Sequence, residues 1–288
     1  MRRRERSRVI SGRPARRYVL ALAGVALIGA AVLAGCGSSE HTVAPQPPVT
    51  GTLADVRAMV ASTVLPGTVL PPNADTTASL LATMNVNGLR GASAVFVLNL
   101  SLANVGNVSV LTGPGAGGVD VALDRLSTPY GGVPEYAYTT LVSHPLGVAL
   151  PFDGAAYHVF AIAGASAWGA FEDSVRSVAV PTLDAPGPGA SIARNADLAI
   201  TWTDAGADTT VYVACAIIST ADSSRVAPGD LARDASGTAT ITAGRLGSLP
   251  AGPATLAVTR FRLAYHTVTG RRVGLASMAT STRNLTLN

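Results

Sequence analysis

The chain has 288 residues and a formal charge of +4, but eight of its 21 basic residues and one of its 17 acids lie within the first 35. The remainder carries 13 basic and 16 acidic groups, a net charge of −3, so a basic face for nucleic acid is not expected on the body of the protein. Every basic residue is arginine, which excludes Schiff-base lysines and lysine-dependent phosphate loops, and 48% hydrophobic against 13% charged residues speaks against a disordered chain.

Residues 1–17 are arginine-rich, and residues 18–33 are apolar and uncharged. That run is shorter than the roughly 20 residues a membrane-spanning helix needs. Leu33-Ala34-Gly35-Cys36 follows, then Gly37-Ser38-Ser39. In this setting the tetrapeptide resembles the lipobox of bacterial lipoproteins at every position. The resemblance implies lipid transfer to the Cys36 sulfur, cleavage after Gly35 and an extracytoplasmic protein moored to a membrane by its lipid. Gly37 and Ser38 differ from the Asp that retains enterobacterial lipoproteins at the inner membrane, which favours the outer membrane where the host has two. Arg16-Arg17-Tyr18-Val19-Leu20 resembles a twin-arginine export signal without its Ser or Thr before the pair and its Phe after it, so that route and the general secretory route both stay open.

Residues 36–51, with prolines at 45, 47 and 48, read as a lipidated tether. Thr52-Leu53-Ala54-Asp55 fits a capping box. Leu53, Val56, Val60 and Val64 share a helical face, so the pattern predicts a short helix ended by Pro66-Gly67. From Ser79 the period becomes that of strands, expected near 79–87, 93–102, 107–112, 118–124, 135–142, 156–163 and 171–180. This spacing predicts a first β-sandwich over 52–180.

Three prolines and two glycines among residues 181–189 mark a boundary, leaving a second domain over 181–288. Asp197-Leu198-Ala199-Ile200-Thr201-Trp202-Thr203 alternates with Leu198, Ile200 and Trp202 on one face. This segment resembles the second strand of fibronectin type III and related immunoglobulin-like domains, whose Trp fills the core. The run from Leu249-Pro250 to Ala257-Val258 resembles the turn into their sixth strand, although the Tyr that usually anchors that corner is missing. The fold class expected is therefore all-β, two tandem sandwiches, the second immunoglobulin-like. Leu256 and Val258 look core-facing at even positions, Phe261 and Leu263 at odd ones, which predicts a bulge near Thr259 with Arg260 and Arg262 facing solvent.

The motifs that carry chemistry elsewhere are incomplete here. Gly113-Pro114-Gly115-Ala116-Gly117-Gly118 satisfies G-x-G-x-x-G but precedes an alternating segment instead of a helix, so it reads as a hairpin connection. Gly164-Ala165-Ser166-Ala167-Trp168 approaches a nucleophile elbow with Trp in place of its last Gly. No His or Cys pair has zinc spacing. Asp204, Asp208, Asp222, Asp230 and Asp234 read as solvated turn residues. Glu172 and Asp173 are adjacent and face opposite ways, a poor acid/base pair. Tyr130, Tyr136, Tyr138 and Tyr157 read as cross-strand packing. Cys215, unpaired once Cys36 is acylated, reads as a buried, inert thiol.

Catalytic, cofactor and metal residues are accordingly not assigned, and the protein is expected to be a non-catalytic binding or structural module. Its partners would be the membrane and an envelope protein or polysaccharide, not nucleic acid. Two alternatives stand beside this: an exported hydrolase with a loop-built site around Asp120, Asp124, Asp153 or His158, and a subunit of an envelope assembly pairing through a strand edge.

Overall fold

The computed structural model describes residues 49–50, 78–98, 101–112, 120–130, 133–165, 168–203, 208–222 and 225–288. The leader, the Gly35–Cys36 junction, the glycine-rich stretch 113–118 and the helix expected at 52–66 lie outside the described residues.

The regular structure of the described chain is almost entirely strand. In order these are β1 (Val49–Thr50), β2 (Ala78–Val86), β3 (Leu89–Leu98), β4 (Ser101–Leu102), β5 (Val108–Thr112), β6 (Asp120–Ala122), β7 (Asp124–Tyr130), β8 (Val133–Thr139), β9 (Tyr157–Ile162) and β10 (Phe171–Arg176). Then follow β11 (Thr182–Ala185), β12 (Ser191–Ile192), β13 (Leu198–Thr203), β14 (Val211–Ser219), β15 (Val226–Pro228), β16 (Ala232–Arg233) and β17 (Thr238–Ile241). One helical turn, α1 (Ala243–Leu246), precedes two 17-residue strands, β18 (Gly252–Val268) and β19 (Arg271–Leu287). The two residues β1 contributes were expected to be tether. They pair instead with Tyr265 and Ala264 of β18, whose edge is open there because its pairing with β14 ends at Arg262.

Three sheets carry the fold. The largest runs β15-β14-β18-β19-β2-β3-β8-β7, the second β10-β9-β5-β6, the third β11-β13-β17. Both small sheets pack on the same face of the large one, as expected of sandwiches whose strands each bury one side chain in two. Against the second sheet lies a core containing Phe96, Tyr138, Leu150, Phe160 and Trp168, joined by Ala264, Val273, Leu275 and Ala279 from the final hairpin. Against the third lies a core of Ile200, Trp202, Val213, Ile217, Leu256 and Val258. The expected boundary at 180–181 is where the chain passes from the second sheet to the third. The large sheet continues across it, so the two sandwiches share that sheet.

The hairpin β18–β19 is the shared spine. It closes at Thr269-Gly270, both with positive φ (50° and 75°), just as Asn87-Gly88 (51° and 91°) closes β2–β3. Two-residue turns of this hand match the twist of the flanking strands. The spine runs in unbroken one-to-one register from Gly252↔Leu287 to Val268↔Arg271. The bulge expected near Thr259 is absent, and Arg260 and Arg262 are buried, at 2% and 9% exposure. The reason is that β18 leaves one core and enters another. Its even face remains inward throughout, while Phe261, Leu263 and Tyr265 on its odd face join a third apolar cluster on the far side of the sheet.

Candidate functional site

Between the two smaller sheets a polar seam crosses the even face of β18. Arg260 Nε donates to Asp234 Oδ1 at 2.9 Å, and its terminal nitrogens donate to the carbonyls of Ala179 (3.1 Å) and Thr203 (3.2 Å). Trp202 Nε1 donates to the same Asp234 oxygen at 2.9 Å. A fully buried guanidinium is therefore satisfied by one carboxylate and two backbone oxygens from three different segments, the condition for keeping such a charge inside.

Two residues along, Arg262 bonds Asp208, which also faces Arg176 at 3.9 Å. Burial pulls the Arg262 guanidinium's pKa down, and Asp208 opposes that pull. The hydroxyl and amide of Thr210, with Arg262 and Arg176, hold the Asp208 carboxyl below its ordinary value against its partial burial. At the far end of β18, His266 Nδ1 bonds Asp173 of β10. Burial raises the Asp173 pKa, with His266 acting against it. Asp173 Oδ2 and His266 Nε2 are buried without a hydrogen-bond partner among the described residues. A carboxylate on Nδ1 is the arrangement that orients an imidazole base, but among the described residues no hydroxyl or thiol hydrogen-bonds Nε2.

Of the residues expected around a loop-built site, Asp124, Asp153 and His158 are engaged locally. Asp120 lies exposed on β6. Asp124 accepts from the Ser143 amide (2.7 Å) and hydroxyl (2.6 Å), which lowers its pKa. Asp153 accepts from the amides of Ala155 (2.8 Å) and Ala156 (2.9 Å) and from Ser177 Oγ (3.1 Å). His158 is fully buried on β9. Thr83 Oγ1 lies 2.7 Å from its Nδ1 and the Pro151 carbonyl 2.8 Å from its Nε2, and desolvation lowers its pKa. Both ring nitrogens are thus occupied in joining β9 to β2 and to the 148–152 segment.

Asp234, read from the sequence as a solvated turn residue, is 3% exposed and carries the seam. Asp230 pairs with Arg245 at 3.1 Å and Asp222 with Arg225 at 3.4 Å, whereas Asp204 lies outside the described residues. Among the described residues no group of three or more His, Cys, Asp or Glu side chains converges as metal ligands. Tyr138 is buried, accepting from the Val105 amide (2.9 Å) and donating to Asn104 (3.2 Å), while Tyr157 is exposed. Gly164 has φ +82°, and a Cβ there would lie 2.4 Å from the Ala170 nitrogen. Its place is the tight return from β9 to β10, closed by Trp168 N donating to Ala165 O at 3.1 Å. Cys215 is buried, and burial pushes its thiol up to about 12.

From 182 onward the strand order is β11-β13-β17 in one sheet and β15-β14-β18-β19 in the other, with β12 running parallel beside β19. This arrangement, with Trp202 of β13 in the core, defines an immunoglobulin-like β-sandwich within an all-β chain. Among the described residues no helix is long and apolar enough to cross a membrane.

No protein-family model matches the chain, and neither does any curated protein. Similar solved structures include the FN1–FN3 domains of chicken CNTN1, at 11% identity over 72% of this chain and 66% of that one, with a TM-score of 0.23. The fibronectin(III)-like modules of Clostridium thermocellum CbhA align at 14% identity over 73% and 90%, with a TM-score of 0.23. The ectodomain of a teleost fish polymeric Ig receptor aligns at 9% over 72% and 98%, with a TM-score of 0.22. The chain spans just under two thirds of the CNTN1 fragment. The sandwich class rests on strand order and not on these likenesses.

Proposed function

We propose that the protein is a lipid-anchored module of the cell envelope that binds or spaces other envelope components without catalysing a reaction. The observation that carries this is Leu33-Ala34-Gly35-Cys36 at the end of an uncharged apolar run, followed by an acidic body built from sheets. The buried arginine seam and the shared spine support the second half of the reading. Sandwiches that share one continuous sheet, with Arg260 bonded both to Asp234 and to the Ala179 carbonyl before the boundary, suit a spacer or a binding platform better than a hinged enzyme. Its partner would be an envelope protein or polysaccharide, and its site the outer membrane in a two-membrane host.

The test is metabolic labelling with a palmitate analogue, followed by mass spectrometry of the N-terminal peptide. Acylated Cys36 as the first residue is expected, with loss of label and release into the soluble fraction for Cys36→Ala. An unmodified Cys36, or a membrane-bound Cys36→Ala chain, would overturn the anchor.

A further inference from the structure

Four of the five large apolar side chains that are exposed among the described residues gather at one place. Val86 and Leu89 face each other across the β2–β3 turn, and Val142 and Leu146 stand on the loop after β8. Leu146 is 94% exposed and Val142 55%. Val148 N donates to Arg90 O at 2.9 Å, and a Cβ on Gly147 would lie 3.3 Å from Leu89 Cδ1, so loop and turn form one tip. Single exposed apolar residues are commonplace, but four on two adjoining turns make a patch that calls for a partner.

The chemistry of the tip fits lipid. Neither 78–89 nor 141–152 contains Asp, Glu, Lys or Arg. Charges begin at its base, with Arg90 after Leu89 and Asp124 under Ser143. Its backbone donors are already spent inside the protein. The amides of Thr140, His144 and Gly147 donate to the carbonyls of Ala92, Thr140 and His144, and that of Asn87 to Thr280. Side-chain oxygens of Thr139, Asp124 and Asn85 take the amides of Leu141, Ser143 and Gly88. Residue 145 is a proline, with no amide hydrogen to satisfy. Asn87 exchanges two bonds with Thr282, and Ser143 Oγ donates to Asp124. A loop entering the boundary between headgroups and acyl chains must bring its hydrogen bonds with it, and this one does.

The tip also lies within reach of an N-terminal lipid. Val49 pairs with Tyr265, and Val86 lies across β19 from Thr259. Six residues along β18 and three strand spacings across it separate the two, about 25 Å in all. The thirteen residue steps from Cys36 to Val49 span up to about 45 Å.

We propose that Val86, Leu89, Val142 and Leu146 are a second membrane contact, set into the headgroup–acyl boundary of the bilayer that holds the Cys36 lipid. The inference rests on the lipid-anchored reading. The tether makes insertion of the tip an intramolecular event at high local concentration, so a small apolar patch suffices. The contact fixes how the body stands on the bilayer, which a tether alone leaves free.

The test uses the lipidated protein carrying an environment-sensitive dye on Leu146→Cys, reconstituted in phosphatidylethanolamine–phosphatidylglycerol vesicles containing acyl-brominated lipid. Cys215 is buried and does not compete for the dye. Ala196→Cys, exposed in the second sandwich, is the reference. The expected result is quenching at 146 severalfold above that at 196, with emission shifted to the blue. A dye on Val142→Cys should be quenched as strongly, and adding Leu146→Asp should reduce that severalfold. Both side chains are exposed, which keeps folding out of the comparison. Protein that floats with the vesicles while 146 and 196 are quenched alike would overturn the tip contact and leave the anchor standing. Protein that does not float with them would overturn the anchor and the contact together. A label at 146 left unquenched in vesicles but shielded in intact envelopes would give the tip to a protein partner, and the proposal would fall.

Discussion

Arg260 is the side chain on which the junction of the two sandwiches turns, and Arg260→Met measures its worth. The substitution keeps most of the volume but removes three donors. Asp234 Oδ1 keeps only the Trp202 indole, and the carbonyls of Ala179 and Thr203 lose the contacts they had at 3.1 and 3.2 Å. Stranding one partner of a buried ion pair costs about 3–5 kcal/mol. A solvent-facing arginine, as the strand parity alone would have it, costs within about 0.5 kcal/mol. The two readings are thus separated by several-fold in free energy. Urea unfolding followed by tryptophan fluorescence reads both cores, because Trp168 and Trp202 are the chain's two tryptophans and lie one in each. In a Trp168→Phe background, itself destabilised by the smaller core side chain, the remaining Trp202 signal should shift on Arg260→Met by as much as the two-tryptophan signal does. Asp234→Asn keeps an acceptor for Trp202 while discarding the charge, so the double variant should lose less than the sum of the singles by about 1–3 kcal/mol. A loss below about 1 kcal/mol for Arg260→Met, or strict additivity with Asp234→Asn, would refute the reasoning.

The remaining predictions concern single sites in each sandwich. The amides of Ala156 and Ala155 hold the Asp153 carboxyl below its ordinary value, helped by Ser177. Its folded pKa therefore lies below its unfolded one, so it stabilises above about pH 3.9 and the contribution vanishes as pH falls through the folded value. Asp153→Asn should be less stable at pH 7 by no more than about 1 kcal/mol, since solvent screens the site, with the two unfolding curves converging in acid. A gap that widens below pH 4 would contradict this. In the second sandwich a Cβ on Gly229 would lie 2.1 Å from Cys215 Sγ and 3.1 Å from Ile241. Gly229→Ala should cost about 1–3 kcal/mol in urea unfolding by overpacking. Most of this should return in Gly229→Ala/Cys215→Ala, and failure of that rescue would remove the thiol as the cause.

How far the sequence discloses this architecture differs between its levels. Period-two alternation places Ile200 and Trp202 in the core and puts strands near 79–87, 107–112, 156–163 and 171–180; β5, β9 and β10 there alternate a buried with a less buried face, whereas β2 buries residues on both. β7 is harder to see. Residues 125–130, Arg125 and Pro129 among them, fall outside the strands the pattern predicts, and they form an edge strand with Asp124 because β8 offers a complete ladder from Thr139↔Asp124 to Val133↔Tyr130. The seam is harder still. A rule that sends arginine outward misjudges Arg260 and Arg262, since the partners that make burial tolerable stand 26 and 54 residues away at Asp234 and Asp208, with nothing local to announce them. The one available signal was the change of parity itself. When apolar residues occupy even positions, then odd ones, without a glycine or proline between, a strand has two readings: it has bulged, or it has entered a region where both its faces are buried. Val258-Thr259-Arg260-Phe261 contains no glycine to ease a bulge, and 17 residues are long enough to pass through two cores. A bulge does not require glycine, however, so parity alone admits both readings and the distant partners Asp234 and Asp208 decide between them. The charged residues in such a stretch are then the first place to look for the contact between two parts of a protein.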